Sequence, residues 1–430
     1  MFSFLNFGSS SKSMSNQPET PFGNPFREKY FTNLDSSVIP INHGSYGLTP
    51  TPIHEKYLEN ITRNANYPDK FMKFEQKEYY IESLKLLSQV LNCDYHDLAI
   101  VDNATTGANT ILRSYPFKKG DLIVILNTIY GACGNTVKFL KDRYGVDFIV
   151  IDVNYPTTDE EILSKFENVF KEKQPTLCIF DTITSMPGII FPFKQMTKLC
   201  KSYNVISLID GAHGIGCISQ DLKSLDPDFY VSNLHKWFFL PFGCAVLYVN
   251  QKYHNKIHTL PISHSYISDD TKLSKKDQEN RLIDRFFFNG TKNFASIQTI
   301  PYAIKFRQEV CGGESTIYNY CNSLAKNVAK MVSEKWGSAI VLKPIATTMV
   351  TIVIPNEYPE FIKNWSEYDN LVYEKMFAAK AYTPIASHNN QLIARFSCQI
   401  YNELKDYEIA SDVLIKSLEE VAKEQGLKKK

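Results

Sequence analysis

Paired cysteines are missing from this sequence: the nine at 93, 133, 178, 200, 217, 244, 311, 321 and 398 all stand singly, without a CxxC spacing. That argues against a cysteine-built zinc site or a dithiol motif, so the thiols read as reduced and buried and no metal is expected. Long apolar runs are missing too, and nothing approaches the ~20 residues of a membrane span. Charge of one sign is not in excess. With 47 basic and 46 acidic residues the formal net charge is +1, so no broad field favours nucleic acid or an anionic membrane. The opening stretch MFSFLNFGSSSKSMSNQPETPFGNPF has neither a basic leader with a long apolar run nor an Arg-rich amphipathic presequence, which makes the cytoplasm the expected location. The body of the chain shows no internal repeat. A small, locally charged molecule is the partner this balance leaves.

What is present suits a globular enzyme. Of the 430 residues 43% are hydrophobic, enough for a large core, and the length suggests one large and one smaller domain. Residues 1–26 are rich in Ser, Asn, Gly and Pro and read as a flexible tail. A large domain is expected over 27–300, with 27–65 running near the active site, and a small domain over 301–430. Seven short apolar runs predict strands at Leu98–Asp102, Leu122–Leu126, Phe148–Asp152, Leu177–Asp181, Ile206–Asp210, Phe229–Ser232 and Ala245–Asn250. Helical patterns lie between them at Asp159–Phe170 and Phe193–Tyr203, and one long amphipathic helix precedes them over Asp69–Leu91. The Ile, Val and Leu content of the strands suits burial on both faces, so the fold class is α/β, a mostly parallel seven-stranded sheet wound with helices. Long helical patterns at Ser315–Trp336 and Glu403–Glu424, with strands at Met349–Ile354 and Leu392–Ser397, make the remainder a smaller α+β domain.

Open α/β sheets bind ligands beyond the carboxyl ends of their strands, and three predicted ends carry polar groups. The first runs Asp102-Asn103-Ala104-Thr105-Thr106-Gly107 into a helix. Its N–H groups and hydroxyls would cradle a phosphate, although Asn and Thr are also simply good helix caps. The second is Asp210-Gly211-Ala212-His213-Gly214. Its carboxylate would keep a pyridine nitrogen protonated, or else is a turn Asp beside a structural His. The third, Ser232-Asn233-Leu234-His235-Lys236-Trp237, places a lysine that would have a lowered pKa if desolvated, but is a snorkelling residue if it is not.

Together, Asp210-Gly211-Ala212-His213 and Asn233-Leu234-His235-Lys236 resemble the fold-type I pyridoxal phosphate enzymes of the class V aminotransferase family. The similarity is to the branch of isopenicillin N epimerase-like, cysteine desulfhydrase-like and hercynylcysteine sulfoxide lyase proteins, from about Leu34 to about Ala422. The resemblance implies pyridoxal 5'-phosphate as cofactor, Lys236 as its Schiff-base lysine, Asp210 as partner of the ring nitrogen and His213 near the phenolic oxygen. It places Tyr130 of Asn127-Thr128-Ile129-Tyr130 in a stack on the pyridine. Thr105, Thr106, Asn233 and His235 would form the phosphate cradle, Asn233 standing where the desulfurase branch commonly has serine. Thr184 or Ser185 would lie near the cofactor oxygen. Thr291, in Phe288-Asn289-Gly290-Thr291-Lys292-Asn293, would by the resemblance reach the phosphate of a second subunit, which implies a homodimer, although on its residues alone the stretch is a plain Gly-centred turn.

Two motifs bear on substrate. Arg395 stands alone among apolar residues in Ile393-Ala394-Arg395-Phe396-Ser397, and burying it is costly unless a carboxylate meets it. The resemblance makes Arg395 the clamp for a substrate α-carboxylate, against the alternative of a structural Arg paired with Asp or Glu. Asn42 and His43, in Ile41-Asn42-His43-Gly44-Ser45-Tyr46-Gly47, lie in a segment that resembles one folding over the site, where they would contact substrate, against the alternative that a loop histidine such as His43 is structural. The resemblance also bears on the reaction, because a sulfur-carrying desulfurase needs a mobile cysteine some tens of residues before this Arg. None occurs between Asn322 and Ile393. A carbon–sulfur lyase on cysteine or a cysteine S-conjugate or sulfoxide is the leading expectation, followed by an amino-acid epimerase, then an aminotransferase. A catalytically silent relative is the alternative of another kind, and the intact Asp210, Lys236 and Arg395 set opposes it.

Overall fold

The computed structural model describes residues 17–268, 271–342, 344–355 and 357–430. The seven strands are β1 Leu98–Val101, β2 Leu122–Leu126, β3 Asp147–Ile151, β4 Leu177–Asp181, β5 Ile206–Asp210, β6 Phe229–Asn233 and β7 Ala245–Val249. They form one sheet in the order β1-β7-β6-β5-β4-β2-β3. All are parallel except β7, which pairs antiparallel with both β6 and β1. The reason is length: Leu234 to Cys244 is too short for the crossover that a parallel return needs. The inner strands β4, β6 and β7 are buried along their whole length, whereas the edge strand β3 is half-exposed. Crossover helices include Ala104–Ser114, Gly131–Tyr144, Asp159–Lys173 and Phe193–Ser202. Thr158 and Glu161 close a capping box at the start of the third of these.

The small sheet contains β8 Met349–Val353, β9 Ile385–His388 and β10 Gln391–Ser397, in the order β8-β10-β9. The sequence reading did not anticipate β9. Only four residues long, it returns through Asn389 and Asn390 at φ 49° and 57°, the left-handed pair that a two-residue hairpin turn requires. The helix expected over Asp69–Leu91 contains a widened π-helical turn at Phe71–Glu75 before it continues as Gln76–Leu91. The long helix Glu314–Trp336 joins the two halves. Ile317 and Cys321 belong to the core of the large sheet, while Leu324, Val328 and Val332 belong to that of the small one.

Part of the expected tail packs. Residues 1–16 lie outside the described residues, but the Glu19 amide donates to the Val310 carbonyl at 3.1 Å and that of Gly23 to Ile400 at 2.8 Å. Phe26 is fully buried among Tyr30, Phe31 and Phe306. The boundary expected at 26 is therefore too late, because its aromatics offset the entropy that the polar composition made prominent. Beyond it, the chain from Ile39 to Thr49 runs between the two halves. The Ile39 amide bonds to Lys380, and the Ile41 carbonyl accepts from Ser397.

Candidate active site

The carboxyl ends of β4, β5 and β6 and the start of the helix Ala104–Ser114 enclose a cavity of about 430 Å³. Lys236 enters it from a single helical turn, Leu234–Trp237, that leaves β6. Buried Leu234 and Trp237 pin that turn on either side of the lysine. Gly47 of the crossing segment, at φ +79°, lies directly against the His235 carbonyl, where a side chain would have no room. Burial draws the Lys236 ammonium down to about 8, helped by the Arg395 charge and opposed by Asp210 and Asp181.

His213 reinforces this. The Trp237 indole N–H donates to its Nδ1 at 3.1 Å, and Nε2 lies 3.3 Å from Lys236 Nζ. An indole can only donate, so in the neutral ring the proton sits on Nε2 and points at the lysine. An amine facing that N–H must accept, which a free amine does and an ammonium cannot. Burial holds the His213 ring neutral, its pKa well below the usual value.

Asp210 ends β5 with a buried carboxyl. Oδ1 accepts the Ala212 amide at 2.9 Å, and Oδ2 faces the Cys133 thiol at 3.6 Å. At the phosphate-cradle end, Asn103 caps its helix by accepting the Thr106 amide at 2.8 Å. Asn233 reaches across from β6 to accept the Ala104 amide, also at 2.8 Å. An amide in place of serine thus ties two elements together with its oxygen and keeps its N–H₂ for an anion. Thr105, Thr106 and half-exposed Tyr130 also line the cavity. So does His235, whose Nδ1–H donates to the Cys244 carbonyl at 3.1 Å; only a protonated ring would have a second N–H for phosphate.

Of the two candidates near the cofactor oxygen, Thr184 turns its hydroxyl into the tight turn to Pro187, while Ser185 lines the cavity. Arg395 rises from β10, only 2% exposed. It donates to the Ser185 carbonyl at 2.7 Å, to Asn42 Oδ1 at 3.0 Å and to Ser45 Oγ at 2.9 Å. All of these acceptors are neutral, Nε has no partner, and burial draws the guanidinium down to about 10. Among the described residues no acid pairs with Arg395.

Asn42 acts by holding Arg395. His43 requires a correction: its Nε2–H donates to the Lys236 carbonyl at 2.8 Å and its Nδ1 accepts from the Tyr401 hydroxyl at 2.8 Å. Burial keeps it neutral, with a pKa lowered to about 3. With both nitrogens engaged, it braces the lysine turn and is not a substrate contact. Thr291 does not line the cavity either; it is exposed on a loop that Lys292 ties to Asp102 at 3.1 Å. The sequence reading missed Asp181, Ser45, Tyr46, Trp237 and Cys133. Asp181 could have been found, since it ends a strand just as Asp210 does.

These residues fit pyridoxal phosphate. A low-pKa amine can take its aldehyde, a buried carboxyl its ring nitrogen, and a capped helix start its phosphate. One consequence is measurable in the cofactor-free protein. Only the free amine reacts, so the rate of covalent cofactor loading should rise about tenfold per pH unit below pH 8 and level off above it. An ordinary lysine would keep accelerating to above pH 10, which stopped-flow absorbance would reveal.

The model of the family "Aminotransferase class-V" matches residues 53–370. The hercynylcysteine sulfoxide lyase of Schizosaccharomyces pombe is 31% identical over 393 residues, covering 90% of this chain and 96% of its own. The L-cysteine desulfhydrase of Arabidopsis thaliana is 26% identical, covering 89% and 88%. Among solved structures, the cystine C–S lyase C-DES in complex with its reaction product cysteine persulfide superposes with a TM-score of 0.73 at 16% identity, covering 88% and 98%. Among the described residues, no helix is long and apolar enough to cross a membrane. With the family's match spanning most of its length and a relative aligned over nine-tenths of it, this chain belongs to the aminotransferase class-V family.

Proposed function

We propose that this chain is a pyridoxal phosphate-dependent carbon–sulfur lyase acting on cysteine, a cysteine S-conjugate or a cysteine sulfoxide. The observation that carries the reading is Arg395, a buried guanidinium whose acceptors among the described residues are all neutral, two of them from cavity-lining Ser45 and Ser185. Such a charge calls for an anion, and the carboxylate of an amino acid supplies one in the geometry a guanidinium prefers.

The cofactor, when bound, supplies an aldehyde and an electron-withdrawing ring that weakens the bonds at Cα. The chain's own groups do the rest. Arg395 fixes the substrate carboxylate, and Lys236, its pKa lowered to about 8, takes the Cα proton in its free-amine form. His213 Nε2–H offers a hydrogen bond beside it, and Asp210 holds the ring-nitrogen proton. No cysteine lines the cavity, so the sulfur leaves with its fragment and is not passed to an enzyme thiol. The names of the relatives, a sulfoxide lyase and a desulfhydrase, support elimination over proton exchange. The reading includes a cytoplasmic homodimer in which Thr291 reaches the partner's phosphate.

The holoenzyme incubated with cysteine, cystine and S-substituted cysteine sulfoxides should release pyruvate and ammonia from at least one of them. No turnover of any of the three classes, with solvent deuterium entering Cα and the centre inverting, would move the assignment to an epimerase.

A further inference from the structure

We propose that Asp181 and Asp210 hold one proton between them, carried by Asp181, so that a single carboxylate faces Lys236 and the bound pyridine. The geometry begins with β4 and β5, which run parallel with their last residues, Asp181 and Asp210, directly paired in register. Neighbouring strands lie ~4.8 Å apart, so two carboxyl groups leave adjacent strand ends into one cavity. Both are buried, Asp181 at 4% exposure and Asp210 at 5%. Two anions this close in a poorly solvated site repel strongly, and one of them takes up a proton.

The hydrogen bonds decide which one. Asp210 has a donor for each oxygen, the Ala212 amide and the Cys133 thiol. Asp181 Oδ2 is buried without a partner, a position costly for an ionised oxygen and far less so for a neutral acid. The other groups that bear on Asp181 leave it uncompensated: Lys236 beyond β6, Tyr155 beyond β3 and Cys133 on the helix Gly131–Tyr144. Lys236 is the sole cation among these, and it already faces Asp210 and Arg395. Tyr155 contributes a buried hydroxyl, itself unpartnered, and no charge. In keeping with this, burial and the Asp210 charge both push the Asp181 carboxyl well above the usual range. The inference rests on the cofactor family and holds whichever reaction follows at Cα.

The test counts protons. An unfolded Asp is ionised at pH 7, so a neutral buried Asp releases one proton on unfolding. Full-length cofactor-free wild type, Asp181→Asn and Asp210→Asn are mixed into concentrated urea at pH 7 in weak buffer with an indicator dye. Wild type should release about one proton more than Asp181→Asn. It should also release about one more than Asp210→Asn, in which Asp181 has lost its anionic neighbour and ionises against Lys236. Equal release from wild type and Asp181→Asn overturns the assignment to Asp181, and equal release from wild type and Asp210→Asn overturns the pairing. A measurement on wild type alone guards against a variant that does not fold. With ¹³C-aspartate, the infrared spectrum at pH 7 should show an isotope-shifted neutral-acid carbonyl band, and its absence sinks the proposal.

Discussion

Lys236→Ala is expected to lower turnover of every substrate by roughly 10³-fold or more, the scale on which a combined nucleophile and general base acts. The loss should be chemical and not structural. The Lys236 amine is held off its usual protonation by burial, so its removal relieves a desolvation cost, while the turn that carries it stays pinned by Leu234, Trp237 and the His43 bond to its carbonyl. Unfolding midpoints should therefore match wild type or exceed it. The absorption of the lysine-bound cofactor should vanish, and borohydride should no longer fix the cofactor to the chain. Covalent cofactor recovered from another lysine of the variant would refute the role given to Lys236.

Arg395→Lys should lower kcat/KM for amino-acid substrates by about 10²–10³-fold, equivalent to about 3–4 kcal/mol, as expected when one partner of a buried charged pair is replaced. A lysine cannot offer two parallel N–H donors, nor reach Ser185, Asn42 and Ser45 together as the guanidinium does. Most of the change should appear in KM, since the clamp acts in ground and transition states alike. The control is a decarboxylated amine such as cysteamine. The variant should treat it much as wild type does, because it presents no carboxylate. An equal penalty on both substrates would make Arg395 a structural residue.

Much of this molecule was legible before folding. The strands followed from short apolar runs because a strand covered on both faces admits little else, and each of the seven lies within a residue or so of its expected span. Lys236, Asp210 and His213 share a cavity with Tyr130, Thr105, Thr106, Asn233, His235 and Ser185. The β9 hairpin was missed because four residues carry too little alternation, although Asn389-Asn390 marked its turn. His43 was misassigned for a different reason. A loop histidine is a candidate contact until its neighbours are known, and both of them, Tyr401 and the Lys236 carbonyl, lie far away in sequence.

The sequence alone determined the α/β class, the family resemblance and the lysine proposed to hold the cofactor, because periodicity and motif spacing are local along the chain. Protonation was decided only by the tertiary structure. The lowered pKa of Lys236, the tautomer of His213 set by Trp237, the uncompensated charge on Arg395 and the carboxyl pair of Asp181 and Asp210 all depend on burial and on partners brought together from separate strands. A residue's type fixes its pKa in water. Only folding sets the charges and hydrogen bonds that move it, and those determine which of its forms does the chemistry.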